Sequence, residues 1–253
     1  VRSFSEDPDI VSQYGAEYVR GLQEFGMLAT AKHFPGHGDT ETDSHSSLAM
    51  IPSDSSRLWS IELPPFNEMI KVGVDAIMVA HVHAPDFQPD SDTPASMSKF
   101  WVNDILKKRL KFKGAIVTDG MGMGGITKNY SDSYALLEVI NAGCDIIIQN
   151  HNLTQSINTI ENAVLNGLIS EKSIDESALK MLKMKEKIGL NYKKSINLTQ
   201  IHNNVGNREN SIKAQRIASE AITCVKLEKD LLPISKFSKD PIFVFDIYDY
   251  QYN

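Results

Sequence analysis

Cysteine is scarce: the 253 residues hold two, Cys144 and Cys224, far apart and each inside an apolar, strand-like run. That pattern predicts buried thiols rather than a disulfide framework. Basic charge is also short, with 26 Lys and Arg against 32 Asp and Glu, a formal charge of −6 and no basic stripe. A nucleic-acid partner is thereby disfavoured, and a neutral or weakly charged small molecule fits better. No window reaches the roughly 18 consecutive apolar residues of a membrane span, and Val1-Arg2-Ser3 opens no signal-peptide pattern. No internal repeat is found. Both ends read as cut, since the last apolar run, Ile242–Ile247, is followed by only a few residues and leaves its domain unclosed.

With 42 % apolar residues the chain can bury a core of one large domain or a domain and a half. Helical periodicity runs through Ile10, Tyr14, Tyr18, Leu22 and Phe25, opened by Asp7-Pro8-Asp9 and stopped by Gly26. Met27–Ala31 then predicts a strand. Further helices are expected from Pro64 or Pro65 to Val72, from Ser98 to about Leu110, and over Ser133–Asn141, 154–166 and 173–188. Strands are expected at Asp75–Ala80, Gly114–Asp119 and Asp145–Gln149. Continuous apolar strands alternating with helices indicate a parallel sheet covered on both faces. Four such strands are half the complement of a (β/α)8 barrel, so the fold class is α/β: the C-terminal half of a barrel, or a smaller open sheet. From Leu190 to Asn210 the chain turns polar and Asn-rich, a linker pattern. A helix over Ser211–Ile222 and strands over Thr223–Leu227 and Ile242–Ile247 then begin a second α/β unit.

The chemistry concentrates in residues 32–45, Lys32-His33-Phe34-Pro35-Gly36-His37-Gly38-Asp39-Thr40-Glu41-Thr42-Asp43-Ser44-His45, with three histidines and three carboxylates in fourteen positions. Pro35, Gly36 and Gly38 forbid a regular element, so this is an irregular loop on which titratable groups can converge. Lys32-His33, His81, Asp119 and Gln149 all fall at expected C-terminal strand ends, where such folds place their sites.

Three chemistries can be read from these residues. A metal-dependent hydrolase of amidohydrolase type would use His81 and His83 with His33, His37, His45 and Asp119. That requires a strand continuing through His81-Val82-His83, which Pro85 soon stops. A phosphate cradle would use Gly120, Gly122 and Gly125, but Asp119 would then turn its charge toward the phosphate. The third is attack at a sugar's anomeric carbon. Asp119, on a rigid strand end, would be the nucleophile; His45, oriented by Asp43, would donate the proton; Lys32 and His33 would hold sugar hydroxyls or an acyl group.

Lys32 to Thr40 with Asp43-Ser44-His45 resembles the signature of family 3 glycoside hydrolases of the bacterial β-N-acetylglucosaminidase type. Arg2-Ser3-Phe4 with Asp7-Pro8 is similar to that family's upstream arginine segment, Ala80-His81 to its barrel-strand histidine, and Thr118-Asp119 with Met121 and Met123 to its nucleophile segment. Ala218-Ser219-Glu220-Ala221-Ile222 and Leu231-Leu232-Pro233 resemble the entry to its second α/β domain. The resemblance implies a partial barrel domain over 1–190, a linker over 191–210 and the start of the second domain over 211–253. It implies Asp119 as nucleophile, His45 assisted by Asp43 as general acid/base, and Arg2, Lys32 and His33 as sugar-binding groups. The implied substrate is terminal β-linked N-acetylglucosamine, as in cell-wall muropeptides, cleaved with retention and without metal or cofactor. With histidine in the acid's place, phosphate could replace water as acceptor. The family's barrel begins several strands before Arg2, and its sugar-binding aspartate from those strands is absent here; many relatives also carry a larger residue at Gly120. A carbohydrate-binding fragment without turnover is the non-enzymatic alternative. An appended second domain is commoner in exported relatives, which tips the expected compartment toward the cell envelope.

Overall fold

Asp7 starts the first helix by accepting the backbone N–H groups of Asp9 and Ile10, with Pro8 in the first turn, so α1 runs Pro8–Glu24. Our computed structural model describes residues 4–40, 47–51, 55–88, 93–148, 152–192 and 197–223. Two strands follow, β1 (Thr30–Phe34) and β2 (Ala49–Met50), then α2 (Ser55–Arg57), a π-helix over Leu58–Glu62 and α3 (Leu63–Lys71). Next come β3 (Ala76–Val79), β4 (Val82–His83), a second π-helix at Phe100–Arg109, β5 (Ala115–Gly120) and α4 (Gly124–Thr127). The unit closes with α5 (Asp132–Ala142), β6 (Ile146–Ile148), α6 (Leu153–Leu165) and α7 (Glu171–Lys187).

The four expected strands form one parallel sheet in the order β1-β3-β5-β6, and β2 pairs with β4 in a separate parallel pair. The strand expected at Met27–Ala31 begins and ends three residues later, because Met27 N–H still caps α1 through the Leu22 carbonyl. Lys32 and His33 therefore lie inside β1 rather than after it. The helix expected after Ser98 closes its hydrogen bonds one residue wider than an α-helix, as Leu110 N–H to the Ile105 carbonyl shows. Ser98 still accepts the Trp101 N–H at its start.

Alternation sorts the strands into two faces. Ile77, Val79 and Ile116 point into the main core with Phe34, Phe66, Trp101 and Leu106, while Ala76, Ala115 and Val117 pack on the other face with Met184 of α7. At the N-terminal ends of the strands, α7 is fastened by two ion pairs. Lys180 meets Asp145 at 2.8 Å, Lys187 meets Asp75, and each aspartate also accepts a backbone N–H from the adjoining chain, Ile116 and Ala29 respectively. Gly143, at φ +111°, ends α5 in the left-handed conformation glycine favours. Cys144 is buried and free, its thiol pushed up to about 12 by burial and by the neighbouring Asp145 charge; Cys224 lies outside the described residues.

The chain divides into two compact units, Val1–Lys194 and Ser195–Asn253. In the second, Leu198–Gln200 forms a 3-10 turn, α8 spans Ile201–Asn204, and α9 spans Arg208–Glu220 behind an Asn207 cap. The helix expected over 211–222 thus starts three residues earlier, at the first asparagine able to cap it. The strands expected beyond Thr223 lie outside the described residues.

Candidate active site

Asp119 lies near the C-terminal end of β5 and shares the face of Ala115 and Val117, away from the main core. Its Oδ1 accepts the N–H of Gly120 at 2.8 Å, and its Oδ2 stands 3.6 Å from His33 Nε2. The Asp119 side chain keeps 18 % exposure, enough to be reached from outside while still held.

His33 arrives by an irregularity in β1. Ala31 and Phe34, three apart, both point into the main core, which strict alternation forbids. The β1–β3 register shifts between them and absorbs the extra residue, leaving Lys32 exposed and His33 partly exposed. The peptide bonds Lys32–His33 and Phe34–Pro35 are cis. The His33 ring meets that of His37 edge-on at 5.9 Å. His37 in turn is bound by Thr40, whose hydroxyl lies 2.7 Å from the His37 Nδ1 and 3.2 Å from the His37 carbonyl.

The loop is braced from below. Arg57 reaches Asp39 at 2.9 Å and Glu62 at 3.6 Å, and Glu62 lies directly beneath Gly36, where any Cβ would fall 2.5 Å from Glu62 Oε2. Burial raises the Glu62 carboxyl above its ordinary range, against the lowering pull of Arg57. Nothing in sequence spacing pairs residue 36 with 62; the bracing comes from Arg57 at the end of α2 and Glu62 at the end of the π-helix, and had no legible signal.

His81 is fully buried beside Asp119, not open to a ligand. Its Nε2 donates to the Gly120 carbonyl at 3.1 Å, and its Nδ1 faces Ser96 Oγ at 2.8 Å. Burial lowers the imidazole's pKa, opposed by the Gly120 hydrogen bond and the Asp119 charge. Both His81 nitrogens are thus engaged by protein groups, and His83, on β4, is buried with no partner for its Nε2 among the described residues. Among the described residues no three His, Cys, Asp or Glu converge to hold a metal ion. Of the glycines after Asp119, Gly120 ends β5, Gly122 lies in the turn that follows and Gly125 is inside the single turn of α4. Of the residues singled out from sequence, Asp119, His33 and Lys32 come to one end of the sheet. Arg2, Asp43, His45 and Gln149 lie outside the described residues.

The family model described as glycosyl hydrolase family 3 N terminal domain matches residues 1–184. The chain is 31 % identical over 255 residues to a β-N-acetylglucosaminidase/β-glucosidase of Cellulomonas fimi, across 97 % of this chain and 45 % of that protein. It is 34 % identical to the family 3 β-N-acetylglucosaminidase of Paenibacillus sp. str. FPU-7, with a TM-score of 0.81 over 90 % of this chain and 43 % of that one. A β-glucoside phosphorylase, BglX, superimposes with a TM-score of 0.86 at 29 % identity, over 92 % of this chain and 44 % of that one. The chain thus spans about half the length of the curated relatives it matches. The match over residues 1–184, with its TIM-barrel-like α/β architecture and parallel strands, settles the family: the chain belongs to glycosyl hydrolase family 3.

Proposed function

We propose that this chain carries the catalytic centre of a retaining exo-β-N-acetylglucosaminidase that releases terminal β-linked N-acetylglucosamine from cell-wall muropeptides or related glycans. The observation that carries the reading is the disposition of Asp119. One carboxylate oxygen is tied to a backbone N–H, and the other faces His33 at the partly open end of the sheet. That division suits a nucleophile, with Oδ1 as the anchor and Oδ2 as the attacking atom.

In the first step Oδ2 bonds to the anomeric carbon as the glycosidic C–O bond breaks, and His45, oriented by Asp43, gives its proton to the departing oxygen. In the second, His45 takes a proton from water, whose oxygen bonds to the same carbon and frees Asp119. Configuration is retained through the two inversions. Arg2, Lys32 and His33 bind the sugar. No step requires a metal or cofactor.

We read the domain as the C-terminal half of a (β/α)8 barrel over residues 1–190, followed by a linker over 191–210 and the start of a second α/β domain over 211–253. Two features support the half-barrel. Among the described residues the sheet ends at β1 and β6, and apolar side chains of the flanking helices stand exposed: Tyr14, Tyr18 and Phe25 of and after α1, Leu165 of α6 and Leu179 and Leu182 of α7. Parallel sheets are normally covered, so these edges ask for more strands and helices.

Similarity to a phosphorylase supports a second acceptor, phosphate, which would take water's place and give a sugar 1-phosphate. The test is turnover of an aryl β-N-acetylglucosaminide by the full-length parent, in phosphate and in a non-phosphate buffer, with product analysis. Free β-N-acetylglucosamine formed first in both supports hydrolysis with retention; sugar 1-phosphate in phosphate alone supports phosphorolysis. The α-anomer as first product, or no turnover of this sugar, contradicts the proposal.

A further inference from the structure

Beneath Asp119 lies a hydrogen-bonded chain that never reaches the open end of the sheet. Ser96 is completely buried in the 3-10 turn Ala95–Met97 and fixed on both sides, its N–H donating to the Ala80 carbonyl at 3.2 Å and its carbonyl accepting the Cys144 thiol at 3.5 Å. Its hydroxyl meets His81 Nδ1 at 2.8 Å, and the opposite ring nitrogen meets the Gly120 carbonyl at 3.1 Å. That carbonyl also accepts the Met123 N–H at 3.0 Å.

A carbonyl oxygen only accepts, so the contact at Nε2 is bonding only when Nε2 carries the proton. With the proton on Nδ1 instead, two lone pairs would face each other across 3.1 Å between buried residues. The Gly120 carbonyl therefore fixes the Nε2–H tautomer, and Ser96 holds the other edge of the ring. Its hydroxyl has one proton, which it donates to the unprotonated Nδ1. Gly120 is then gripped at both ends, its carbonyl by His81 and its N–H by Asp119 Oδ1 at 2.8 Å.

We propose that Ser96 is a positioning residue for the nucleophile: by donating to Nδ1 it holds the His81 ring against Gly120, and through Gly120 it sets the rotamer of the Asp119 carboxylate. The inference rests on reading Asp119 as the nucleophile. Ser96 touches neither sugar nor leaving group, so its effect falls on the rate of the covalent step and not on substrate binding. Misplacing a reacting atom by about 1 Å costs on the order of 100-fold in rate, which sets the scale expected.

The test uses the full-length parent with its histidines labelled with nitrogen-15. The His81 resonances, assigned by their loss in His81→Gln, are expected to report the Nε2–H tautomer. Ser96→Ala is expected to keep the Nε2–H tautomer, to move the Nδ1 resonance toward that of an unbonded ring nitrogen, and to lower kcat on an aryl β-N-acetylglucosaminide by about 10- to 100-fold with KM nearly unchanged; Ser96→Thr, which keeps the hydroxyl, is expected to restore both the Nδ1 resonance and the rate. A His81 found as Nδ1–H in the parent overturns the proposal even if Ser96→Ala fails to fold. So does Ser96→Ala turning over at the parent's rate while Asp119→Ala is inactive. An active Asp119→Ala would instead remove the nucleophile reading on which this one stands.

Discussion

His33 Nε2 and Asp119 Oδ2 stand 3.6 Å apart although their strands, β1 and β5, are separated by β3. Strand axes two apart lie roughly 9.6 Å from one another, so the side chains must meet above the end of the intervening strand. They can, because β3 stops at Val79 and the chain turns away through Ala80 and His81. The imidazole and the carboxylate thus flank the space over a strand that ends early, and a ligand entering there would touch both.

His33→Ala is therefore expected to lower kcat/KM on an aryl β-N-acetylglucosaminide by about 10- to 100-fold, roughly 1.4 to 2.7 kcal/mol of transition-state stabilisation. Thermal unfolding should shift little, because the side chain is partly exposed. A parent-like kcat/KM would mean that the imidazole does not act on the sugar.

Gly36→Ala should destabilise the chain by about 1 to 3 kcal/mol, because the backbone sits at φ +142° and the new methyl meets the Glu62 side chain. Gly21 of α1 is the control. Nothing lies within 4 Å of its hypothetical Cβ, so Gly21→Ala should stabilise by up to about 1 kcal/mol through helix propensity. Calorimetric midpoints moving in opposite directions would bear out both.

The four strands, the helices between them and the placement of Asp119 were legible because apolar runs and caps are local signals. Asp7 capping α1 and Gly143 ending α5 are direct cases. The position of His33 within β1 was not, since a register shift depends on the neighbouring strand and leaves no mark in Thr30–Phe34 itself. His81 was legible as a residue at a strand end but not as a buried support: its partners, Ser96 and Gly120, lie 15 and 39 residues away. The π-helices and the Arg57–Glu62 bracing of the loop were likewise hidden, because i→i+5 pairing has no sequence period distinct enough from an α-helix to read.

Acid should weaken the fold through His81. Its folded pKa lies below the ordinary value of 6.5, so below that value the unfolded chain takes up the proton first and stability falls, levelling off once the folded ring also titrates. The unfolding midpoint is expected to drop between pH 6.5 and the lowered folded value. His81→Gln, which cannot titrate, should flatten that segment of the profile; an unchanged slope would contradict the burial argument.

Lys180→Ala is expected to cost about 1 to 3 kcal/mol by removing the ion-pair partner of the nearly buried Asp145, which keeps its hydrogen bonds from Ser177 and the Ile116 N–H. The figure is set below that of a fully buried pair because the lysine head is 31 % exposed. Chemical denaturation measures it. The pair lies at the N-terminal ends of the strands, opposite Asp119, so kcat should be preserved.

The most direct measurement treats the full-length parent and its Asp119→Ala variant with an activated fluorosugar analogue of N-acetylglucosamine and locates the adduct by peptide mass spectrometry. The expected result is one sugar on Asp119 in the parent, none in the variant, and turnover in the variant lower by on the order of 10³-fold or more. An adduct on another residue, or a variant that still turns over substrate at the parent's rate, would contradict the account.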